Sequence, residues 1–153
     1  MGMGYTFRCC GCGYELEAYM GGGFLLPSVT EKTIQELKSG KYGETAKIFF
    51  EENPDGTADC RNELFRCKKC GFLKVDMSLD LYKRKEGVSE PDYLFPDEDY
   101  FCKSMELDHI CERCGSKMEK QNVDRFLKKV LYGKIRCPDC GGYLELGSLF
   151  NWD

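Results

Sequence analysis

The sequence predicts a small α+β protein built from two units of short antiparallel strands, each with helix inserted between two cysteine-containing turns. Three observations support this prediction. The motif Cys-x-x-Cys-Gly occurs four times in the 153 residues. Short runs that alternate apolar and polar residues flank these turns, as strands with one buried face do. Residues 123–131 instead repeat apolar side chains at helical spacing, which predicts an amphipathic helix.

The four cysteine turns, as we call the Cys-x-x-Cys-Gly segments, carry the strongest chemical signal of the chain. Two cysteines separated by two residues can deliver two thiolates to one divalent metal ion. A glycine after the second cysteine readily takes the positive φ angle that lets backbone amides point at the sulfur atoms. Four turns therefore supply two four-thiolate sites. The predicted ligands are Cys9, Cys12, Cys67, Cys70, Cys111, Cys114, Cys137 and Cys140.

The order of the turns along the chain leaves three ways of pairing them. Loop-closure entropy grows with the length of the loop, which favours pairing neighbouring turns. This argument predicts that the first two turns share one metal ion and the last two share another. A cross-brace, in which the first turn pairs with the third and the second with the fourth, requires longer closures.

Sequential pairing predicts a division into consecutive segments. Residues 1–82 would form an N-terminal unit with a two-helix insertion over 28–52. Residues 83–99 are acidic and contain two prolines, so they are interpreted as a linker. Residues 100–153 would form a C-terminal unit around an amphipathic helix at 123–132.

Helix ends are predicted from their capping residues. Ser28 and Glu31 have the spacing of a capping box, with Ser28 as the N-cap of the first helix. A second helix is expected from Glu44 to Glu52. For the last helix, Asn122 is the expected N-cap and Gly133 the residue after the C-cap. Strands are expected over residues 5–8, 14–19, 63–66, 72–76 and 143–146.

Charge and hydropathy restrict the partners and the compartment. The formal net charge is −4, and two dications bound by four thiolates each would bring it to about −8. A protein this acidic is a poor general partner for nucleic-acid phosphates. No apolar run approaches the ~20 residues of a membrane span, so no membrane partner is expected. Eleven cysteines without an apolar leader predict a reducing, cytoplasmic location.

Several residues near the predicted sites keep open roles. Cys10 lies inside the first turn and can substitute for a neighbouring ligand, whereas Cys60 and Cys102 are expected to be small buried side chains. His109, two residues before a cysteine turn, is expected to have a surface or packing role, with metal ligation or a hydrogen bond to a ligand as the alternatives.

The apolar tail that ends the sequence also allows two interpretations. Its large side chains, Phe150 and Trp152, are expected to pack against the helix at 123–132, because small domains need every apolar group for their core. An exposed docking patch is the alternative.

The cysteine turns resemble those of the zinc-ribbon superfamily, and in outline those of bacterial zinc-ribbon proteins that carry a short helical insertion. This resemblance rests on the turns alone. It implies two structural Zn²⁺ ions and a role in binding a protein partner, as an adaptor module. No enzyme is expected, because a closed four-cysteine site leaves no coordination position for water, and the sequence has no recognisable Ser-His-Asp set.

Two alternative functions stay open. The turns Cys9–Cys12 and Cys137–Cys140 resemble the two halves of rubredoxin, which implies an Fe(Cys)₄ electron carrier. They lie at opposite ends of the chain, each nearer to another turn, which favours zinc. The second alternative is a zinc ribbon that binds nucleic acid through the basic face of the helix at 123–132, formed by Arg125, Lys128 and Lys129.

Overall fold

The computed structural model of the chain describes residues 2–153, which form nine strands and three helices. The strands belong to three small sheets with the orders β2-β1-β9, β3-β6-β7 and β5-β4-β8. The predicted α+β class with small antiparallel sheets is therefore confirmed. The elements are β1 (Gly2–Arg8), β2 (Glu15–Met20), α1 (Leu26–Lys38), α2 (Glu44–Glu52), β3 (Thr57–Ala58), β4 (Asn62–Cys67), β5 (Leu73–Met77), β6 (Leu81–Arg84), β7 (Phe101–Met105), β8 (Met118–Lys120), α3 (Val123–Leu131) and β9 (Glu145–Trp152).

The chain divides into two compact units, and neither is a continuous segment. Unit 1 comprises Met1–Gly23, Asn62–Asp76 and Asp108–Asp153, and unit 2 comprises Phe24–Arg61 and Met77–Leu107. This differs from the consecutive segments 1–82, 83–99 and 100–153 expected from the sequence. The reason is that the two ends of the chain pair with each other, and the segment Asn62–Asp76 lies with them in unit 1, so unit 2 is formed by the two segments on either side of it.

Unit 1 is organised around β1, the central strand of its sheet. β1 pairs antiparallel with β2 on one edge and with the C-terminal strand β9 on the other. Phe7 of β1 is buried, and its ring meets the ring of Phe126 from α3 edge to face with centroids 5.4 Å apart. Helix α3 thus covers one face of this sheet, as its apolar spacing predicts.

The ends of α3 follow the predicted capping residues. The Asn122 side chain accepts a hydrogen bond of 3.0 Å from the amide of Arg125, which satisfies a donor of the first turn. Gly133 follows the C-cap with φ +62°, and its amide donates to the carbonyl of Val130.

The C-terminal tail, residues 149–152, forms the second half of β9, and its aromatic rings pack on the sheet. The rings of Phe150 and Trp152 both meet Tyr19 of β2, and the indole N–H donates to the Met20 carbonyl at 3.1 Å. A Cβ atom at Gly4 would lie 2.1 Å from the Phe150 ring. Glycine there lets the ring approach the backbone. These rings were expected to pack against the helix at 123–132, but they pack against Tyr19 of strand β2.

Unit 2 contains the two predicted inserted helices. Helix α2 has the expected bounds, but α1 begins at Leu26, two residues before Ser28. The capping-box prediction was wrong, since Leu25 is the N-cap and makes no side-chain cap bond. Pro27 sits in the first turn, where its fixed φ angle favours helix and its missing N–H costs nothing.

The segment expected as a linker lies within unit 2. It joins β6 to β7, which pair antiparallel. The Thr57 hydroxyl donates to the Leu94 carbonyl, and the Arg61 guanidinium lies over the Phe95 ring at 5.4 Å from its centroid. Within residues 2–153, no helix has the length and apolarity that a membrane crossing needs.

We predict that Phe126→Ala lowers the free energy of unfolding of the metal-loaded protein by about 3–5 kcal/mol, because it leaves a cavity between α3 and β1. Leu131→Ala is the matched control on the same helix, since Leu131 is 69% exposed, and it should change stability by less than about 0.5 kcal/mol. Urea denaturation measures both. Equal losses in the two variants would contradict this packing of α3.

Candidate metal centres

The eight predicted ligands come together in two groups of four. We call Cys9, Cys12, Cys137 and Cys140 the outer group, and Cys67, Cys70, Cys111 and Cys114 the inner group. Within each group all four sulfur atoms lie within 4.8 Å of one another. The sequential pairing predicted from loop length was wrong, because the first turn meets the fourth and the second meets the third. No helix lies between the two turns of the inner group, so the expected arrangement of helix between paired turns is not found there.

Strand pairing accounts for the outer group. Arg8, the last residue of β1, lies opposite Glu145, the first residue of β9. The turn that follows β1 therefore lies beside the turn that precedes β9. An isolated bridge between Arg136 and Tyr143 closes the base of that last turn.

Strand pairing in another sheet accounts for the inner group. Cys67, at the end of β4, lies opposite Met118 of β8. A bridge between Ile110 and Lys117 closes the preceding turn, which holds the cysteines at 111 and 114 next to those at 67 and 70. Each group is thus placed by an antiparallel pair whose two strands are far apart in the sequence.

The sulfur geometry fits a tetrahedral metal ion. A tetrahedron with metal–sulfur bonds of ~2.3 Å has sulfur–sulfur edges of about 3.8 Å. Two sulfur pairs of the outer group are separated by 3.5 and 3.6 Å, and two of the inner group by 3.4 and 3.6 Å. All eleven cysteines are free thiols. Both groups can therefore bind a metal ion.

The four turns share one backbone conformation. The glycine after the second cysteine has φ between +72° and +77° in every turn, and its amide donates to the carbonyl of the first cysteine. Backbone amides of the last turn also point at sulfur, since those of Asp139 and Gly142 donate to Cys137 and Cys140 at 3.4 Å. The conformational role predicted for these glycines is confirmed.

Each group contains one thiol with a lowered pKa. Hydrogen bonds from the hydroxyl and amide of Ser116 lower the pKa of Cys114 to about 6. A hydrogen bond from the Gly11 amide, helped by neighbouring groups, lowers the pKa of Cys9 to about 7. Hydrogen bonds to sulfur stabilise the thiolate, which is the form that binds metal. Metal binding displaces the protons of the remaining thiols.

The two groups differ in exposure. In the outer group Cys12 and Cys140 are exposed, whereas every cysteine of the inner group is buried or half-buried. Phe65, Phe72 and Met118 pack around the inner group. Solvent and small molecules thus reach the outer sulfur atoms more readily.

Cys10 and His109 lie outside both groups. The exposed thiol of Cys10 donates to the Glu145 carboxylate at 3.1 Å, which raises its pKa and opposes ionisation. The His109 ring stacks on Phe65 with centroids 3.8 Å apart. Of the surface or packing role expected of His109, its position matches packing.

The two remaining cysteines have different surroundings. Cys60 is buried in the core of unit 2, as expected, and burial raises its pKa. Cys102 is exposed on β7, so its predicted burial was wrong. Neither thiol belongs to a group of metal-ligating side chains in residues 2–153.

Comparison with known proteins found no matching family model, no similar curated protein and no similar solved structure. The likeness to zinc ribbons therefore rests on the four cysteine turns, and the two four-cysteine groups are consistent with it.

We predict that Cys140→Ser in the zinc-loaded protein makes Cys9, Cys12 and Cys137 reactive toward N-ethylmaleimide. Loss of one ligand would weaken the binding of the metal ion that these cysteines share. The inner-group cysteines should stay protected. Peptide mass spectrometry reads the label at each cysteine.

Cys102→Ser is the matched control, since this exposed thiol lies in neither group, and it should leave all eight ligands protected. Labelling of Cys111 and Cys114 in the Cys140→Ser protein, with Cys9 and Cys12 protected, would instead support sequential pairing.

Proposed function

We propose that this is a non-enzymatic zinc-binding protein whose two Cys₄ sites are structural and whose folded surface serves as a protein-binding or adaptor module. The observation that carries the proposal is the presence of two complete four-thiolate groups. Four thiolates fill the tetrahedral coordination of zinc, and this leaves no position at which a water molecule or a substrate could be activated.

The position of the groups supports a structural role. Each group would join two turns that are distant in the sequence, at the ends of strands that already pair. A structural zinc ion supplies ~10 kcal/mol or more of folding free energy in small sites. Unit 1 would thus depend on its metal ions for its fold, and the partner-binding surface would form only in the metal-loaded protein.

A second candidate function is electron transfer at an Fe(Cys)₄ centre in the outer group. The two turns that resemble the halves of rubredoxin lie at opposite ends of the chain, and they fall in the same group. Two of its cysteines, Cys12 and Cys140, are exposed residues, and backbone amides donate to the sulfur atoms of Cys137 and Cys140. Hydrogen bonds to sulfur and solvent exposure both tune the potential of an iron–thiolate centre.

The metal decides between the two candidates, so we propose elemental analysis and a visible spectrum of the protein purified from its own organism. Two zinc ions per chain and a colourless solution are expected. Iron with a red colour that bleaches on reduction would overturn the zinc assignment and favour electron transfer.

The binding role has its own test, in which the same native preparation is divided into a nuclease-treated and an untreated portion and both are analysed for co-purifying macromolecules. We expect a stoichiometric protein partner that is lost when a chelator strips the metal ions. Recovery of nuclease-sensitive nucleic acid, lost on replacing Arg125, Lys128 and Lys129 of α3 by Gln, would contradict the protein-adaptor role.

A further inference from the structure

A cavity of about 490 Å³ lies in unit 2, outside the metal centres. One wall is the first turns of α1, at Leu26, Pro27 and Thr30, and the other is the segment 90–95. The volume falls within the range of ligand pockets in proteins, roughly 300–1,000 Å³. Apolar side chains form most of its lining, so it can accept an apolar group.

The wall at 90–95 is held in place by side chains behind it. The Thr57 hydroxyl donates to the Leu94 carbonyl, and the Arg61 guanidinium covers the Phe95 ring. Two hydrogen bonds of 2.9 and 2.6 Å tie that guanidinium to the buried carboxylate of Asp59. The cavity is therefore formed before any ligand enters, which lowers the entropic cost of binding.

The charged side chains that line the cavity are all acidic. Glu31, Glu90 and Asp92 line the cavity together with apolar residues, and the lining contains no Lys or Arg. Among residues 2–153, no cation forms an ion pair with any of these three carboxylates. The N-terminus of α1 contributes about half a positive charge, which does not offset three negative ones. A ligand that complements this lining carries a cation beside its apolar group.

Large, exposed apolar side chains lie in the cavity lining and directly before it in the sequence. Tyr93 is 68% exposed, and Phe24 and Leu25, which directly precede Leu26, are 85% and 67% exposed. Exposed aromatic and aliphatic groups next to a formed pocket are typical of surfaces that bind proteins. A partner larger than a small molecule would cover them.

We propose that this cavity binds a segment of a partner protein in which an apolar side chain stands next to Lys or Arg. The apolar side chain enters the cavity, and the flanking cation pairs with Glu31, Glu90 and Asp92. This proposal rests on the proposed adaptor function and gives the chemistry of the partner that it recognises.

The test uses the full, zinc-loaded chain and three hexapeptides, followed by amide chemical shifts in NMR. The first peptide has two central leucines flanked by lysines, the second has glutamates in place of the lysines, and the third has glycines in place of the leucines. We expect the first alone to bind and to shift the amides of Thr30, Glu31, Tyr93 and Leu94. Binding of the second or third peptide with equal affinity would overturn the proposal, as would shifts confined to another surface.

A charge variant tests the role of the carboxylates. The triple variant Glu31→Gln, Glu90→Gln, Asp92→Asn should bind the lysine peptide at least about tenfold more weakly, since three ion pairs are lost. The matched control Glu51→Gln, Asp55→Asn, Glu86→Gln removes the same charge from exposed positions of unit 2 outside this cavity, and it should bind like the wild type. Equal affinities for the two variants would overturn the proposal.

Sedimentation and metal analysis of the same samples separate the remaining outcomes. A dimer of the wild type that is lost in the triple variant would overturn the proposal in favour of a second copy as the occupant. Failure of the lysine peptide to bind protein that holds two zinc ions overturns the docking site and leaves the structural metal sites standing. A preparation from the native organism without zinc would instead count against the proposed function.

Discussion

The antiparallel pairing of β1 with β9 is the constraint on which unit 1 depends. These are the first and last strands of the described residues, and their register runs from Gly2 opposite Trp152 to Arg8 opposite Glu145. Because the register places the first and last cysteine turns at the same end of the sheet, it also decides which cysteines meet. This one pairing determines where the aromatic tail packs, which cysteines form the outer group and which sheet α3 covers.

The inner group is also formed by the pairing of two strands that are distant in the sequence. The β4–β8 pair brings the two middle turns together in a second sheet, so the two groups are nested along the chain. Loop-closure entropy disfavours this arrangement only weakly. Joining Cys12 to Cys137 spans 125 residues, a little more than twice the span to Cys67. Joining Cys70 to Cys111 spans 41 residues, a little less than twice the span from Cys114 to Cys137, and the two added costs together are about 1.2 kcal/mol. A few strand hydrogen bonds offset this amount.

Local features of the fold were predictable from the sequence because local interactions determine them. Helix α2 has the expected bounds, α3 begins at the expected cap, and the four turn glycines have the expected positive φ angle. The start of α1 was misplaced, since the favourable position of Pro27 outweighed the capping spacing of Ser28. In each of these cases the residues that determine the structure lie within a few positions of one another in the sequence.

The pairing of the turns was not predictable by the same reasoning, because it depends on contacts between the ends of the chain. One signal was present in the alternation of small and aromatic residues. Glycines at positions 2 and 4 leave space on β1 that Trp152 and Phe150 of the tail fill. Such complementarity is visible only once the two segments are compared as strands. The cavity of unit 2 was not predictable either. Its acidic wall has the composition of a linker, and the contacts of this wall with Thr57 and Arg61 are not apparent from the sequence.

We expect the chain to bind two metal ions, each through four thiolates from two turns paired in nested order. The most direct measurement is a correlation NMR spectrum of the ¹¹³Cd-substituted protein, in which each cadmium nucleus couples to the β-protons of its own ligands. We predict two cadmium signals, one correlated with Cys9, Cys12, Cys137 and Cys140, and the other with the inner-group cysteines. A cadmium signal correlated with Cys9, Cys12, Cys67 and Cys70 would contradict this account.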